Sequence, residues 1–544
     1  MLNLSRESLK DAKAWAEVNI ELPGFEYDRM AARTRENPTW VHFGAGNIFR
    51  GFIAALQQTL LNLGQADTGI IAVEAYDIEI IDRMYTPYDN LNLLVIMNPD
   101  GTLKKRVVGS IAEALIGDSA RTQDWKRLTR IFAKPSLQMA SFTITEKGYS
   151  LKKLSGEYLD DVLCDMRQGP AEPRHLMSKI ASLAYTRYQS GRLPIAFVSM
   201  DNCSHNGEKL HDAVQAIVEQ WVANGLVERD FLAYLNDPAQ VTFPWSMIDK
   251  ITPRPSETVK NALEAAGFVD TGIICTGKNT FIAPFVNAEG PQYLVIEDSF
   301  PNGRMPLELA GVIFSDRQTV DKVEKMKVCT CLNPLHTALA VFGCLLGYTL
   351  IADEMKDPHL HKLVQKIGYE EGLPVVINPG ILNPADFLRE VIEQRLPNPY
   401  IPDAPQRIAT DTSQKIGIRF GETIKAYHSR KDLDPANLTY IPLVIAGWCR
   451  YLLGVDDHGL EMPLSPDPML EPLRSHLSGV SLGSWEAVAD VLQGAEVLKL
   501  ILANESIFGI NLYEAGLGAK IEGYFTEMLA GKNAVRATLQ KYLG

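Results

Sequence analysis

Cysteine is scarce and scattered: seven in 544 residues, at positions 164, 203, 275, 329, 331, 344 and 449. An odd number in mostly apolar contexts excludes a disulfide framework and suits a reducing compartment. Cys329 and Cys331 form CxC, but no second pair completes a zinc site, so no metal is expected. A basic excess is also missing. The net charge is −13, whereas a general nucleic-acid or anionic-membrane binder needs a basic footprint. The longest apolar run, "TALAVFGCLLGYTLIA", is broken by glycines and reads as a core helix, too short for a bilayer span. The opening "MLNLSRESLKDAKAW" lacks the basic-then-apolar order of a signal peptide. Internal repeats and low-complexity tracts are absent. These exclusions leave a metal-free, cytoplasmic protein of globular composition, 46% hydrophobic and 22% charged, too long for one core.

What is present divides the chain. Residues 1–38 are polar and read as an N-terminal extension laid over the body. Next, "TWVHFGAGNIFRGFIAALQQTLLNLG" reads as an apolar strand, a glycine turn and an amphipathic helix. Strand-like pieces follow: "GIIAVEAYD", "LNLLVIM", "MASFTIT", "LPIAFVSMD" and "YLVIED". Helical patterns such as "RHLMSKIASLAYTRYQ" and "EKLHDAVQAIVEQWVAN" separate them. This alternation predicts an α/β fold with a largely parallel sheet, a Rossmann-like domain over residues 39–318. From about residue 320 the periodicity is almost wholly helical, giving a mostly α-helical C-terminal domain over 319–544, punctuated by connectors such as "LPNPYIPDAPQ". "HLH", at His359 and His361 after "KDP", reads as a solvated helix start.

"GAG" at Gly44 to Gly46 sits where the first strand ends, with a helix beginning about Ile48. Glycine permits a tight turn and close backbone approach to a pyrophosphate, which a helix N-terminus stabilises. Phe49 stands where the third fingerprint glycine would be, and the alternative is an ordinary strand-to-helix turn. Acidic residues after the second strand, Glu74 and Asp77 with Glu79 behind them, fall where a ribose partner belongs. The expected cofactor is NAD, held by Gly44, Gly46, Asn47, Ile48, Phe49, Arg50, Glu74 and Asp77. A carboxylate at the ribose repels the 2′-phosphate of NADP.

"KVCTCLNPLH", Lys327 to His336, places a lysine, an asparagine and a histidine in an otherwise apolar or sulfur-bearing run without carboxylates. A lysine there is costly to bury unless paired or neutral. Polar residues also cluster beside strands in "TITEKGY", "SMDNCSHNG", "FPWSMIDKITPRP", "IEDSFPNGR" and "RIATDTSQK". Taken singly, Asn202 can hold a turn, Asp249 can cap a helix, and Asp411 to Lys415 can start one. Taken in order, these segments resemble the polyol-specific long-chain dehydrogenases of the mannitol dehydrogenase family, which include fructuronate and tagaturonate reductases. The family pattern is a lysine, an asparagine after four intervening residues, and a histidine after two more. Asn333 and His336 match; Lys327 lies one residue further upstream, so a local bulge must return the amine.

The resemblance implies a secondary-alcohol dehydrogenase. Lys327 acts as general acid/base, with Asn202 and Asn333 stabilising the developing oxyanion and His336 hydrogen-bonding substrate or fixing the amine. Asp249, Arg254, Lys147, Arg407 and Lys415 are the substrate-binding candidates. The rival reading makes Asn333 an N-cap before Pro334, so that its amide faces the helix and His336 is a core residue. "TCLNPLHTALA", with Lys147 and Arg254 as extra cations, looks more like the fructuronate reductases, so the expected reaction is NADH-dependent reduction of fructuronate to mannonate. The alternatives are a mannitol or other polyol 2-dehydrogenase, a tagaturonate reductase, or a non-catalytic NAD-binding protein. The expected partner is a small sugar acid or polyol, with neither nucleic acid nor membrane, and the chain is expected to act as a monomer.

Overall fold

The computed structural model describes residues 2–153, 155–483 and 495–544. It divides into two compact units, Met1–Asp321 and Lys322–Gly544. The boundary falls close to the one expected at 318, but residues 1–38 are not a separate layer. Ile20–Glu21 pairs in parallel with Leu103–Val108, so the N-terminal segment adds a strand to a sheet of the first unit.

Six short apolar strands build the main sheet: β1 (Trp40–Phe43), β2 (Ile70–Glu74), β3 (Ile111–Ile116), β4 (Met139–Phe142), β5 (Ile195–Ser199) and β6 (Val241–Thr242). They are all parallel, in the order β3-β2-β1-β4-β5-β6. Both faces are covered, which is why the strands carry continuous apolar runs. Val41, Phe43, Ile71 and Val73 pack into one core with the helices Leu176–Gln189 and Asn206–Ala223. The intervening Trp40, Ile70 and Ala72 pack into a second with Ala54–Asn62.

Two of the expected strands belong elsewhere. Asn92–Met97 lies in a four-stranded mixed sheet, antiparallel to Leu103–Val108 and parallel to Phe285–Glu289. Tyr293–Glu297 runs antiparallel to Ser246–Asp249 in a three-stranded sheet.

The described residues of the second unit are helical, with one isolated bridge between Val455 and Glu461. Local chemistry fixes the helix starts. Asp357 caps Pro358–Gln365 by accepting from the His359 and Leu360 N–H groups, which makes "HLH" the helix start the sequence suggested. The helical run Arg317–Leu345 is long and apolar enough, by length and composition, to cross a membrane, contrary to the reading of its apolar core as too short. Of its most apolar window, 78% is buried inside the protein, as in the core helix of a globular domain.

Candidate active site

In the first unit, the carboxyl ends of β1 and β4 flank the point where strand order reverses, where ligands of open α/β sheets bind. Gly44 follows β1 with φ +104°, and a Cβ there would collide with the Thr143 carbonyl that follows β4. Only glycine meets both demands. A Cβ on Gly46, by contrast, would meet nothing within 4 Å, so the turn is open on that side. The helix then begins with a wide turn over Phe49–Ile53.

Below the turn, His42 stacks on Phe49 at 4.3 Å and hydrogen-bonds Ser141 Oγ (2.6 Å) and Thr143 Oγ1 (2.8 Å). Burial pushes its pKa down to about 3, so the ring is neutral.

Glu74 ends β2 and is spent on the backbone. Its Oε2 accepts from Ala45 N at 2.8 Å, and Oε1 accepts from Ala75, Tyr76 and Asp77 N–H at 3.0, 2.9 and 3.2 Å. It braces the glycine turn from beneath. Asp77 Oδ2 accepts from the Thr276 hydroxyl at 2.6 Å, and Glu79 Oε1 from Gly277 N at 3.2 Å. Glu74→Ala should therefore strand four N–H groups and lower stability by about 1–3 kcal/mol. NADH affinity should weaken with it, whereas Asp77→Ala should release only the Thr276 hydroxyl and remove one carboxylate from the end of β2. Thermal melting and NADH titration of both variants check this.

A dinucleotide fits this turn on the residues present. Asn47 Oδ1 and Arg50 Nη1, at the start of the helix, are buried and lack hydrogen-bond partners, while Arg50 Nη2 donates to the Ala283 carbonyl at 2.8 Å. A pyrophosphate at a helix N-terminus offers oxygens that can accept from Arg50 Nη1.

The segments "TITEKGY" and "SMDN" meet at the same end of the sheet through a residue the sequence reading missed. Asp201 accepts from Ile144 N (2.9 Å), Thr145 N (2.8 Å) and Tyr149 OH (2.6 Å). It holds Thr145 at φ +64°, a conformation a β-branched residue rarely adopts. The neighbouring Asn202 is exposed at this rim and Asp249 is buried at the end of its strand. The two cations chosen for a carboxylate are both exposed. Lys147 points outward on the turn, and Arg254 lies over the Phe281 ring at 4.4 Å.

In the second unit, the lysine segment opens on a wide turn. Lys327–Cys331 winds with i→i+5 closure, Leu332 N donating to Lys327 O at 3.0 Å. Such a turn inserts one residue into a helix without rotating what flanks it. The five residues between Lys327 and Asn333 run through this turn. Lys327 is 2% exposed. The next helix is Asn333–Leu345, with Leu332 in the capping position and no side-chain cap. Asn333 is thus the first helical residue, and its carboxamide is not the cap that the rival reading required.

One turn on, His336 is 15% exposed, with Nε2 3.8 Å from Asp403 Oδ2. Burial, opposed by Asp403, takes its pKa to about 4, so it is neutral near pH 7. Asp403, another residue not singled out from the sequence, accepts from Arg407 Nε at 3.0 Å. Lys415 donates to the Thr410 carbonyl at 2.7 Å, its pKa lowered by burial and by the charges of Arg419 and Arg407. Glu354 is fully buried with no hydrogen-bond partner on either oxygen. Burial and the nearby Asp403 raise its pKa to about 10, so it is a neutral acid there. The Cys329 and Cys331 thiols are buried, with pKa values pushed up to about 12. Among the described residues no group of three or more His, Cys, Asp or Glu is arranged to hold a metal ion.

A parallel sheet in this strand order, with a glycine turn at its switch point, defines a dinucleotide-binding enzyme, and the comparisons with known proteins make it an oxidoreductase. Residues 38–308 match the family model described as the mannitol dehydrogenase Rossmann domain, and residues 319–526 match the mannitol dehydrogenase C-terminal domain. The chain belongs to the mannitol dehydrogenase family. It is 57% identical to a D-mannonate oxidoreductase of Thermotoga maritima over 100% of this chain and 99% of that protein. It is 26% identical to a mannitol 2-dehydrogenase of Aspergillus fumigatus over 100% of this chain and 99% of the relative. The structure of Pseudomonas fluorescens mannitol 2-dehydrogenase in ternary complex with NAD and D-mannitol matches with a TM-score of 0.71 at 25% identity, covering 100% and 99% of the two chains.

Proposed function

We propose that this enzyme uses NADH to reduce the ketone of a linear sugar acid, D-fructuronate to D-mannonate, and catalyses the reverse oxidation. The observation that carries the reading is the 57% identity, end to end, with the D-mannonate oxidoreductase. When bound, NADH supplies the hydride. The chain's own residues handle the proton and the charge. Lys327, in its apolar segment, gives a proton to the carbonyl oxygen during reduction and takes the hydroxyl proton during oxidation. The amide of Asn333 donates to the oxygen as negative charge develops. His336, uncharged, hydrogen-bonds the substrate or steadies the lysine. Gly44, Gly46, Asn47 and the helix start at Ile48 to Arg50 receive the pyrophosphate, and the acidic end of β2 favours NADH over NADPH. Arg407 and Lys415, while held by Asp403 and the Thr410 carbonyl, orient hydroxyls. The seven cysteines, all free thiols, fit the reducing conditions of the cytoplasm.

The test is NADH oxidation against fructuronate, tagaturonate and fructose. The expected kcat/KM for fructuronate exceeds that for fructose by at least about tenfold, a gap of about 1.4 kcal/mol in transition-state binding. Equal rates on fructose would return the protein to the mannitol dehydrogenases proper.

A further inference from the structure

We infer that Arg419 binds the carboxylate of the substrate and sets the preference for a sugar acid over a neutral ketose. The inference rests on the reading of the enzyme as a sugar-acid reductase and names the residue responsible for it.

Arg419 lies in "GIRFG", another wide turn, Gly417–Gly421. A Cβ on Gly417 would meet the Ile507 carbonyl and one on Gly421 the Phe508 carbonyl. Two glycines one turn apart therefore let this segment sit directly on the backbone of Glu505–Phe508. The residue midway between them is turned to the other side. There the segment packs against Lys327–Cys331, and the Thr423 hydroxyl, just beyond it, donates to the Cys329 carbonyl at 3.4 Å.

The guanidinium lands one turn into the neighbouring helix, at Thr337. Arg419 Nη1 donates to Thr337 Oγ1 at 2.6 Å, and that hydroxyl in turn donates to the Asn333 carbonyl at 3.0 Å. Arg419 is thus anchored, through one threonine, to the residue that offers its amide to the reacting oxygen. Its charge is also felt at His336.

Other cations near the lysine segment are already engaged, Arg395 among them. Arg407 is neutralised by Asp403, Lys415 is bonded to the Thr410 carbonyl, and Arg254 and Lys147 are exposed on the other unit. Among the described residues, no carboxylate pairs with Arg419. Burial lowers its pKa to about 10 with no carboxylate opposing the shift. A partly buried guanidinium without a counter-ion is unfavourable, and a ligand carboxylate relieves it. The planar fork has donors beyond the one given to Thr337, so it can grip a carboxylate with two parallel hydrogen bonds. A hydroxymethyl group in the same place offers no charge and no such geometry.

The test compares Arg419→Met and Arg419→Lys with the wild-type enzyme on fructuronate and fructose, with NADH binding and thermal melting measured alongside. In Arg419→Met, kcat/KM for fructuronate should fall by about thirtyfold or more, mainly through KM, while fructose is unaffected. NADH affinity should be unchanged, and Arg419→Lys should recover part of the loss on fructuronate alone. Parallel losses on both sugars, no loss on either, or weakened NADH binding would overturn the assignment. A wild-type enzyme that turns over no keto-uronate would remove the functional reading and this inference together. Failure of the inference alone appears only in the variants.

Discussion

Lys327→Ala should lower turnover of fructuronate by about two to four orders of magnitude, the range for removing a general acid/base, with NADH affinity unchanged. Lys327 is 2% exposed and sits in the wide turn directly before Asn333 and His336. In the proposed reaction Lys327 is the proton source for the carbonyl oxygen, and its removal leaves the cofactor turn in the other unit untouched. Lys325→Ala is the matching control. Lys325 is exposed in the last turn of the preceding helix, and its loss should leave the rate within about twofold, as for surface substitutions away from a site. A crippled Lys325→Ala with an active Lys327→Ala would move the acid/base role to the other lysine. The wide turn would then have a purely structural meaning.

Asn333→Ala should cost about two to three orders of magnitude in kcat/KM, as removal of one oxyanion donor does, without loss of stability. The pairing of these outcomes is diagnostic. An asparagine that capped the helix would cost about 1 kcal/mol of stability when replaced by alanine and would change the rate little. Leu332 holds the capping position, and Asn333 is already inside the helix, so the rate and not the melting temperature should move. Thermal melting and steady-state kinetics on one preparation separate the two cases.

The parts legible in the sequence are those whose signal is local. The glycine turn could be read because strand, glycines and helix follow one another without interruption, and Gly44 is indeed fixed by φ and by close approach to Thr143. The lysine segment stood out because a lysine in an apolar run needs an explanation. Strand β3 escaped because "IAEALI" has the alanine, glutamate and leucine of a helix; its pairing along β2 overrides that propensity. Asn92–Met97 and Tyr293–Glu297 were correctly strands, but apolar alternation does not say which neighbour a strand will choose, and both joined the smaller mixed sheets.

The site residues missed from sequence share one cause: their partners are distant in the chain. Asp201 is recognisable only once its carboxylate meets Ile144, Thr145 and Tyr149. Asp403 lies in a proline-rich connector and gains meaning only beside His336 and Arg407. Glu74 sits where a ribose partner belongs, but four backbone N–H groups engage its oxygens. Lys147 and Arg254 were chosen as charges near motifs, and exposure, which spacing cannot reveal, weakens both. The candidate that replaces them, Arg419, looks in "GIRFG" like an ordinary surface cation until its glycines are seen against the backbone of Ile507 and Phe508.

The central claim is that an amine, not a metal ion, manages the proton on the reacting oxygen. The most direct measurement is the rate of NADH oxidation with fructuronate after exhaustive treatment with EDTA, followed by added zinc. The account predicts an unchanged rate at both stages, because Lys327 is the acid/base. Loss of activity on chelation, restored by zinc, would contradict it.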